Sequence, residues 1–356
     1  MLKKKKTIIA LLLIPQFLLV KLLSNYPGFV EQYYSEGLYQ WLSKIFRYVL
    51  GLLPFSFGDL VYGLGGIYMI WWFLKNRKRL RKDTLNWCVD VFAAVSLIYF
   101  AFHLFWGLNY YRLPLHKNLN LNADYTTEQL VNVTEKLIEA SNLLQFNITK
   151  NDSIKVDIPY DKTEVFSLIP KGYDNIKAVF PDLEYQPESI KQSLFSYPLS
   201  YMGFSGYLNP LTNEAHVNGR IPMFRFPTTS SHEIAHQLGY AAENEANFIG
   251  FLAASNNDDM YIKYCGFAYG LGYCLNEIYQ RDECLYEDLV ADVNTGIIKN
   301  YEESRLFSDA HENPFKPLFK LFYSNYLKAN RQSKGMESYS YVVALLVNYL
   351  EAHPDN

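Results

Sequence analysis

Two histidines four residues apart with a glutamate beside the first, His232, Glu233 and His236, carry the most specific chemistry in this sequence. On a helix, residues four apart share a face at about 6 Å between Cβ atoms, so both imidazoles can offer a nitrogen to one metal ion. Glu233, one step round, falls beside that metal, where it can deprotonate water whose pKa zinc lowers from about 15.7 to about 7. Ser230 and Ser231 lead into the motif, Ile234 and Ala235 fill the inward spacing, and Gly239 supplies a C-terminal stop. The helix therefore ends where a third ligand must arrive. Glu243 is the first candidate, with Asn247 four residues on as a prop behind its carboxylate, and Glu245 is the alternative ligand. The competing reading is a surface helix with two solvated histidines and an acidic turn.

The spacing is the HExxH pattern of zinc metallopeptidases. It predicts zinc as cofactor, a peptide or protein as substrate, and His232, His236 and Glu243 as ligands, with Glu233 the catalytic base. The rival class is a non-enzymatic envelope protein with a structural metal site, or a substrate-binding module. Structural zinc sites tend to be closed by four protein ligands, often with Cys, and the nearest thiol in sequence is Cys265.

The elements that must hold this site differ along the chain. Of 356 residues 49% are hydrophobic and 17% aromatic, which is rich for a wholly soluble protein. A net charge of −3 gives no basic field for gripping nucleic acid. Four cysteines, Cys88, Cys265, Cys274 and Cys284, are too few and too irregular for a disulfide framework. Lys3 to Lys6 precede an apolar run from Thr7 to Leu23 with no small-residue cleavage site after it, which predicts an uncleaved spanning helix. Apolar runs at about 57–74 and 87–108 predict two more, separated by the basic stretch Lys75 to Lys82. Both basic runs belong on the cytoplasmic side by the positive-inside bias, so residues 1–110 are expected to form the membrane domain of a multi-pass protein of the cytoplasmic membrane. Residues 111–356 then lie outside. Between the first two spans, the aromatic and charged mixture of residues 28–54 suits a helix in the headgroup region or an amphipathic packing helix.

The outer part reads as mainly α with a small β-hairpin or sheet. Thr126 and Gln129 make a capping box for a helix over about 127–145, with short helices near Val165 and over Asp174 to Phe180. Helical periodicity recurs at 260–280, 282–302, 315–330 and 338–352, and Asp258 and Asp259 suit a turn or N-cap. Residues 202–218 form two extended runs about an Asn-Pro-Leu-Thr-Asn turn, a predicted hairpin. An edge strand there could pair with an extended substrate, and Tyr207, His216 and Asn218 on it are candidate substrate contacts.

The three spans, the exit Trp106-Gly107-Leu108-Asn109-Tyr110-Tyr111-Arg112, the Gly206-Tyr207-Leu208-Asn209-Pro210 hairpin, the run from His232 to Tyr240 with Glu243 to Phe248, and Tyr326-Leu327-Lys328 together resemble the bacterial family called domain of unknown function 3810. The resemblance covers nearly the whole chain and implies an integral-membrane zinc metallopeptidase with a zincin-like helical extracytoplasmic domain. More distantly, Glu243 and Asn247 are similar to the Glu-x-x-x-Asp element of gluzincins. Here Asn stands for Asp, and the gap after His236 is shorter, nearer the Gly-turn layout of metzincins.

Overall fold

The structure, a computed structural model, describes residues 2–178, 180–330 and 339–353 of the 356-residue chain. It is mainly helical with one three-stranded sheet, and it divides into two compact units, Met1–Leu113 with Asn209–Glu214, and Pro114–Leu208 with Ala215–Asn356.

In the first unit three helical stretches are long and apolar enough to cross a membrane. Lys4–Leu23 combines most of α1 (Leu2–Leu11) with α2 (Leu13–Leu23); the others are α5 (Phe57–Asn76) and α7 (Thr84–Phe105). They match the expected spans except at their ends. Helix α1 runs back into the lysines, and α7 stops at Phe105 because Trp106 leaves the helical region and a 3₁₀ turn, Gly107–Tyr111, follows. Polar side chains tie the apolar helices together: Gln16 donates to Ser96 at 3.2 Å, and Asp90 takes both Lys6 at 2.6 Å and Arg79 at 2.9 Å.

Residues 27–51 follow as α3 (Pro27–Phe29), a π-helical stretch Val30–Leu38 and α4 (Tyr39–Gly51). Their buried face is mixed: Glu31, Ser35, Ser43 and Arg47 are enclosed beside Val30, Tyr34 and Tyr39, while Tyr33, Trp41, Ile45, Tyr48 and Val49 are exposed. Burial of charge requires pairing, and Glu31 meets the Arg112 guanidinium at 2.5 and 3.0 Å. The unit also takes in the turn Asn209–Glu214. Asn213 donates to the Tyr39 hydroxyl at 2.7 Å and accepts from Ser43 at 2.9 Å. The fully buried Glu214 carboxylate accepts the Phe57 and Gly58 amides at 3.2 and 2.5 Å, satisfying donors that the first turn of α5 leaves open. A short helix α6 (Arg79–Lys82) lies between α5 and α7.

The second unit begins with α8 (Leu115–Asn118) and α9 (Thr127–Thr149), which is closed by the expected capping box. Helix α10 (Lys162–Ile176) replaces the two short helices expected near Val165 and over Asp174 to Phe180; residue 179 lies outside the described residues. It continues through Pro170 because Val165, Ile169, Tyr173 and Ile176 form one buried stripe whose packing outweighs the missing amide. Strand β1 (Ile190–Gln192), which the sequence did not announce, pairs parallel to β3 (Glu214–Val217), with Lys191 opposite His216. Helix α11 (Ser196–Met202) and β2 (Gly206–Asn209) precede β3, and the order β1-β3-β2 leaves β2 at an edge.

Helices α12 (Phe226–Gln237), α13 (Glu243–Ser255) and α14 (Met260–Arg281) form the centre, with α12 against α13 and α14 against both α9 and α13. Their shared core includes Phe226, Ile234, Phe248, Phe251, Tyr264 and Leu271. Asp259 caps α14 by accepting the Tyr261 and Ile262 amides, as its sequence position suggested. The expected helix at 282–302 is two, α15 (Glu283–Ala291) and α16 (Thr295–Ala310), because Asn294 turns aside to bind Asn142 and Gln145 on α9. Helices α17 (Lys316–Ala329) and α18 (Tyr339–Ala352) complete the unit; residue 338 lies outside the described residues. All four cysteines are free.

Candidate metal centre

Helix α12 begins earlier than the hydroxyl pair suggested, with Pro227 in its first turn, and Ser230 and Ser231 instead donate back to the Phe226 and Pro227 carbonyls. Two turns are thereby laid down before His232. The helix ends at Gly239, whose φ of +99° only glycine adopts without strain, and the chain reverses as the Tyr240 amide binds the Ala235 carbonyl at 3.1 Å. This reversal returns Glu243, the first residue of α13, to the face of α12 that carries both histidines.

The His232 Nε2 lies 3.3 Å from Glu243 Oε2, and the His236 Nε2 lies 3.5 Å from Glu243 Oε1. Ligands roughly 2.0–2.2 Å from a tetrahedral zinc stand about 3.3–3.6 Å from one another, so these atoms already keep ligand spacing. His236 Nδ1 lies 2.7 Å from the Tyr240 carbonyl, and since a carbonyl only accepts, Nδ1 carries the hydrogen. A ring held at Nδ1 by a backbone carbonyl presents its Nε2 outward, here toward Glu243, an orientation typical of metal-ligating histidines. The Glu233 carboxylate belongs to the same group, with the donor atoms of His232, Glu233 and His236 all within 4.8 Å of one another. Glu233 Oε2 and His232 Nδ1 are buried atoms with no hydrogen-bond partner. Two imidazole nitrogens and the carboxylates of Glu233 and Glu243 meet here, one Glu233 oxygen being orphaned, a donor set of the kind that holds a metal ion.

Electrostatics fit a cation as well. Burial lifts the Glu233 carboxyl to about 7 against the pull of the two histidines. Burial works against the charge of Glu243, yet His236 and His232 hold its carboxyl well below the ordinary range. Burial lowers the His236 imidazolium, but Glu243 more than offsets that and lifts it to about 9. The group holds itself together by negative charge shared between the rings. Solvent reaches it from one side, where the His232 and Glu243 side chains are 13% and 22% exposed, whereas Glu233 is 3% exposed.

The other candidates are placed as follows. Glu245 is turned away from the imidazoles, buried, and accepts the Leu115 amide at 2.7 Å, so Glu243 is the carboxylate beside the histidines. Asn247 accepts the Tyr269 hydroxyl at 2.7 Å rather than reaching back to Glu243's carboxylate by any contact observed among the described residues. Asn218 braces the loop, its amide donating to Ser200 and Phe204 and its oxygen accepting from Arg220. His216 is fully buried with its ring 4.7 Å from Tyr207.

Two neighbours of the site had no role in the sequence reading. Tyr323 of α17 donates to Glu243 Oε1 at 2.5 Å, its ring edge-on to Phe204 at 5.2 Å. Burial and the Glu243 charge push its phenol well above the ordinary value, so it stays a donor. Gly206 of β2 lies over Glu233: a Cβ there would stand 2.5 Å from Glu233 Oε1 and 2.7 Å from the His216 carbonyl. Only the glycine in the quoted hairpin hinted at such closeness; Tyr323, 80 residues beyond Glu243, had no local signal.

A model of the family described as "Protein of unknown function (DUF3810)" matches residues 34–347. No curated protein and no solved structure matches the chain.

Proposed function

The chain belongs to the DUF3810 family, and we propose that it is a membrane-anchored zinc-dependent peptide hydrolase whose second unit is a zincin-like domain on the extracytoplasmic side. The observation that carries this reading is the pair of distances, 3.3 and 3.5 Å, at which the two Nε2 atoms face the two oxygens of one glutamate. His232, His236 and Glu243 would hold the ion. When bound, zinc supplies a Lewis acid that polarises a scissile carbonyl and makes water a stronger acid.

The protein's own groups do the rest. Glu233, buried beside the two imidazoles, would take a proton from the attacking water and return it to the leaving amine. Tyr323 fixes the Glu243 carboxylate through its hydroxyl, and the Tyr240 carbonyl fixes the His236 ring. Edge strand β2, which passes directly over Glu233, offers backbone groups along which an extended peptide could lie. The lysines before the first span and the basic stretch Lys75 to Lys82 support the outward placing of the second unit.

The burial of Glu233 favours a second reading, a closed structural site in which Glu233 is itself the fourth ligand. Full-length protein purified beside Glu233→Gln separates the two. A hydrolase keeps its zinc and loses peptide cleavage by about 10²-fold or more. Loss of zinc in that variant, or equal cleavage by both proteins, overturns the catalytic reading.

A further inference from the structure

Helix α17 carries two faces of different character. Lys316, Tyr323 and Leu327 form one of them: Lys316 and Leu327 are buried, and Tyr323 reaches Glu243. At about 100° per residue, Phe315 just before the helix and Leu318, Phe322 and Tyr326 within it line up as a separate stripe. These four are 66%, 47%, 65% and 38% exposed, and Leu321 beside them is 57% exposed. The stripe is extended by α11. Asn313, at the approach to α17, donates to the Tyr201 carbonyl at 2.7 Å, and the exposed rings of Tyr197 and Tyr201 lie 5.1 Å apart on α11.

An exposed row of this size rimmed by polar groups marks a surface that meets something. Its chemistry selects the partner. Helix α17 carries exposed Lys320 and Lys328 and no acidic residue, and Arg220 lies 5.2 Å over the Tyr197 ring, so the exposed charge on this helix is cationic. Phenylalanine, leucine and tyrosine beside lysine and arginine are the composition of a helix lying in the headgroup region, where rings sink to the acyl boundary and cations meet phosphate. The chain also carries three helices long and apolar enough to cross a membrane, so a bilayer is a partner this chain can meet.

We propose that the α11–α17 face is a lipid-docking surface that lays the second unit on the membrane independently of the spans. The helix that grips phospholipid is then the one that holds Tyr323 against Glu243, and the substrates within reach are segments lying at the bilayer surface. The docking itself does not depend on the metal chemistry and can be read without it.

The test uses full-length protein in which Cys88 and Cys284 are replaced by serine, with one new cysteine at a time, Leu318→Cys, Phe322→Cys or, as a control on α16, Glu302→Cys. Each is labelled with a polarity-sensitive fluorophore and placed in nanodiscs of phosphatidylethanolamine and phosphatidylglycerol, with and without bromine on the acyl chains. An interfacial helix buries its face roughly 5–10 Å, so the labels at 318 and 322 should lose about half their emission or more to brominated lipid while the control does not. Emission at 318 and 322 that ignores bromine overturns the proposal. If that emission is also blue-shifted, another protein or a second copy covers the face instead.

Discussion

A side chain at position 206 would place its Cβ 2.5 Å from Oε1 of Glu233, so the edge strand and the candidate base lie closer than any residue but glycine permits. Gly206→Ala must therefore displace either the carboxylate or the strand, and the His216 carbonyl at 2.7 Å blocks the second route. Overpacking of this kind costs about 1–3 kcal/mol. The expected result is a lower melting temperature, measured on full-length protein in detergent, together with loss of cleavage. An unchanged melting temperature would mean the strand stands off Glu233.

Replacement of the carboxylates one at a time distinguishes ligand from prop. Glu243→Ala and His232→Ala should each empty the site, seen as loss of zinc by elemental analysis of the purified protein. Glu245→Ala should keep its zinc and instead lose about 1–3 kcal/mol of stability, because the buried Leu115 amide is left without its acceptor. Zinc retained by Glu243→Ala and lost from Glu245→Ala would reverse the assignment.

Tyr323→Phe keeps the ring against Phe204 and removes the hydroxyl that steadies Glu243. Groups that orient a ligand are worth about 10–100-fold in metal affinity. Titration with a competing chelator should show that weakening with little change in melting temperature. Equal affinity in the two proteins would reduce Tyr323 to packing alone.

Cys284 is exposed while Cys265 and Cys274 are buried, which provides a single reporter in the second unit. A membrane-impermeant maleimide applied to intact cells should label the protein at Cys284, and Cys284→Ser should abolish that signal. Labelling only after the cells are opened would place the second unit inside.

The sequence spoke clearly wherever the physics is local. Spans follow from unbroken apolar runs, the α9 capping box from Thr126 and Gln129, and the facing imidazoles from a four-residue step. It also named two glutamates as candidates for a third ligand, and the return of the chain at Gly239 brings Glu243, not Glu245, beside the two imidazoles. What stayed hidden is set by distance along the chain. Strand β1 is three residues whose only cue is its pairing with β3, and Tyr323 reaches the site from the far end of the sequence. Pro170, a residue that ordinarily stops a helix, is carried through inside α10 by four buried neighbours. The 27–51 stretch encloses charged and hydroxyl side chains beside its apolar ones, and the partners of Glu31 and Ser43, far along the chain, account for that.

The turn Asn209–Glu214 belongs to the first unit although both strands it joins sit mostly in the second. A recombinant fragment begun after the third apolar helix would keep this turn but shed the Tyr39 and Ser43 hydroxyls and the two amides that open α5. A carboxylate that is wholly enclosed in the intact chain would then face water at the tip of the hairpin that lies over Glu233. Excision at that point trades solubility for a loosened strand, so an inactive fragment would say little about the intact chain, and assays belong with the full-length protein.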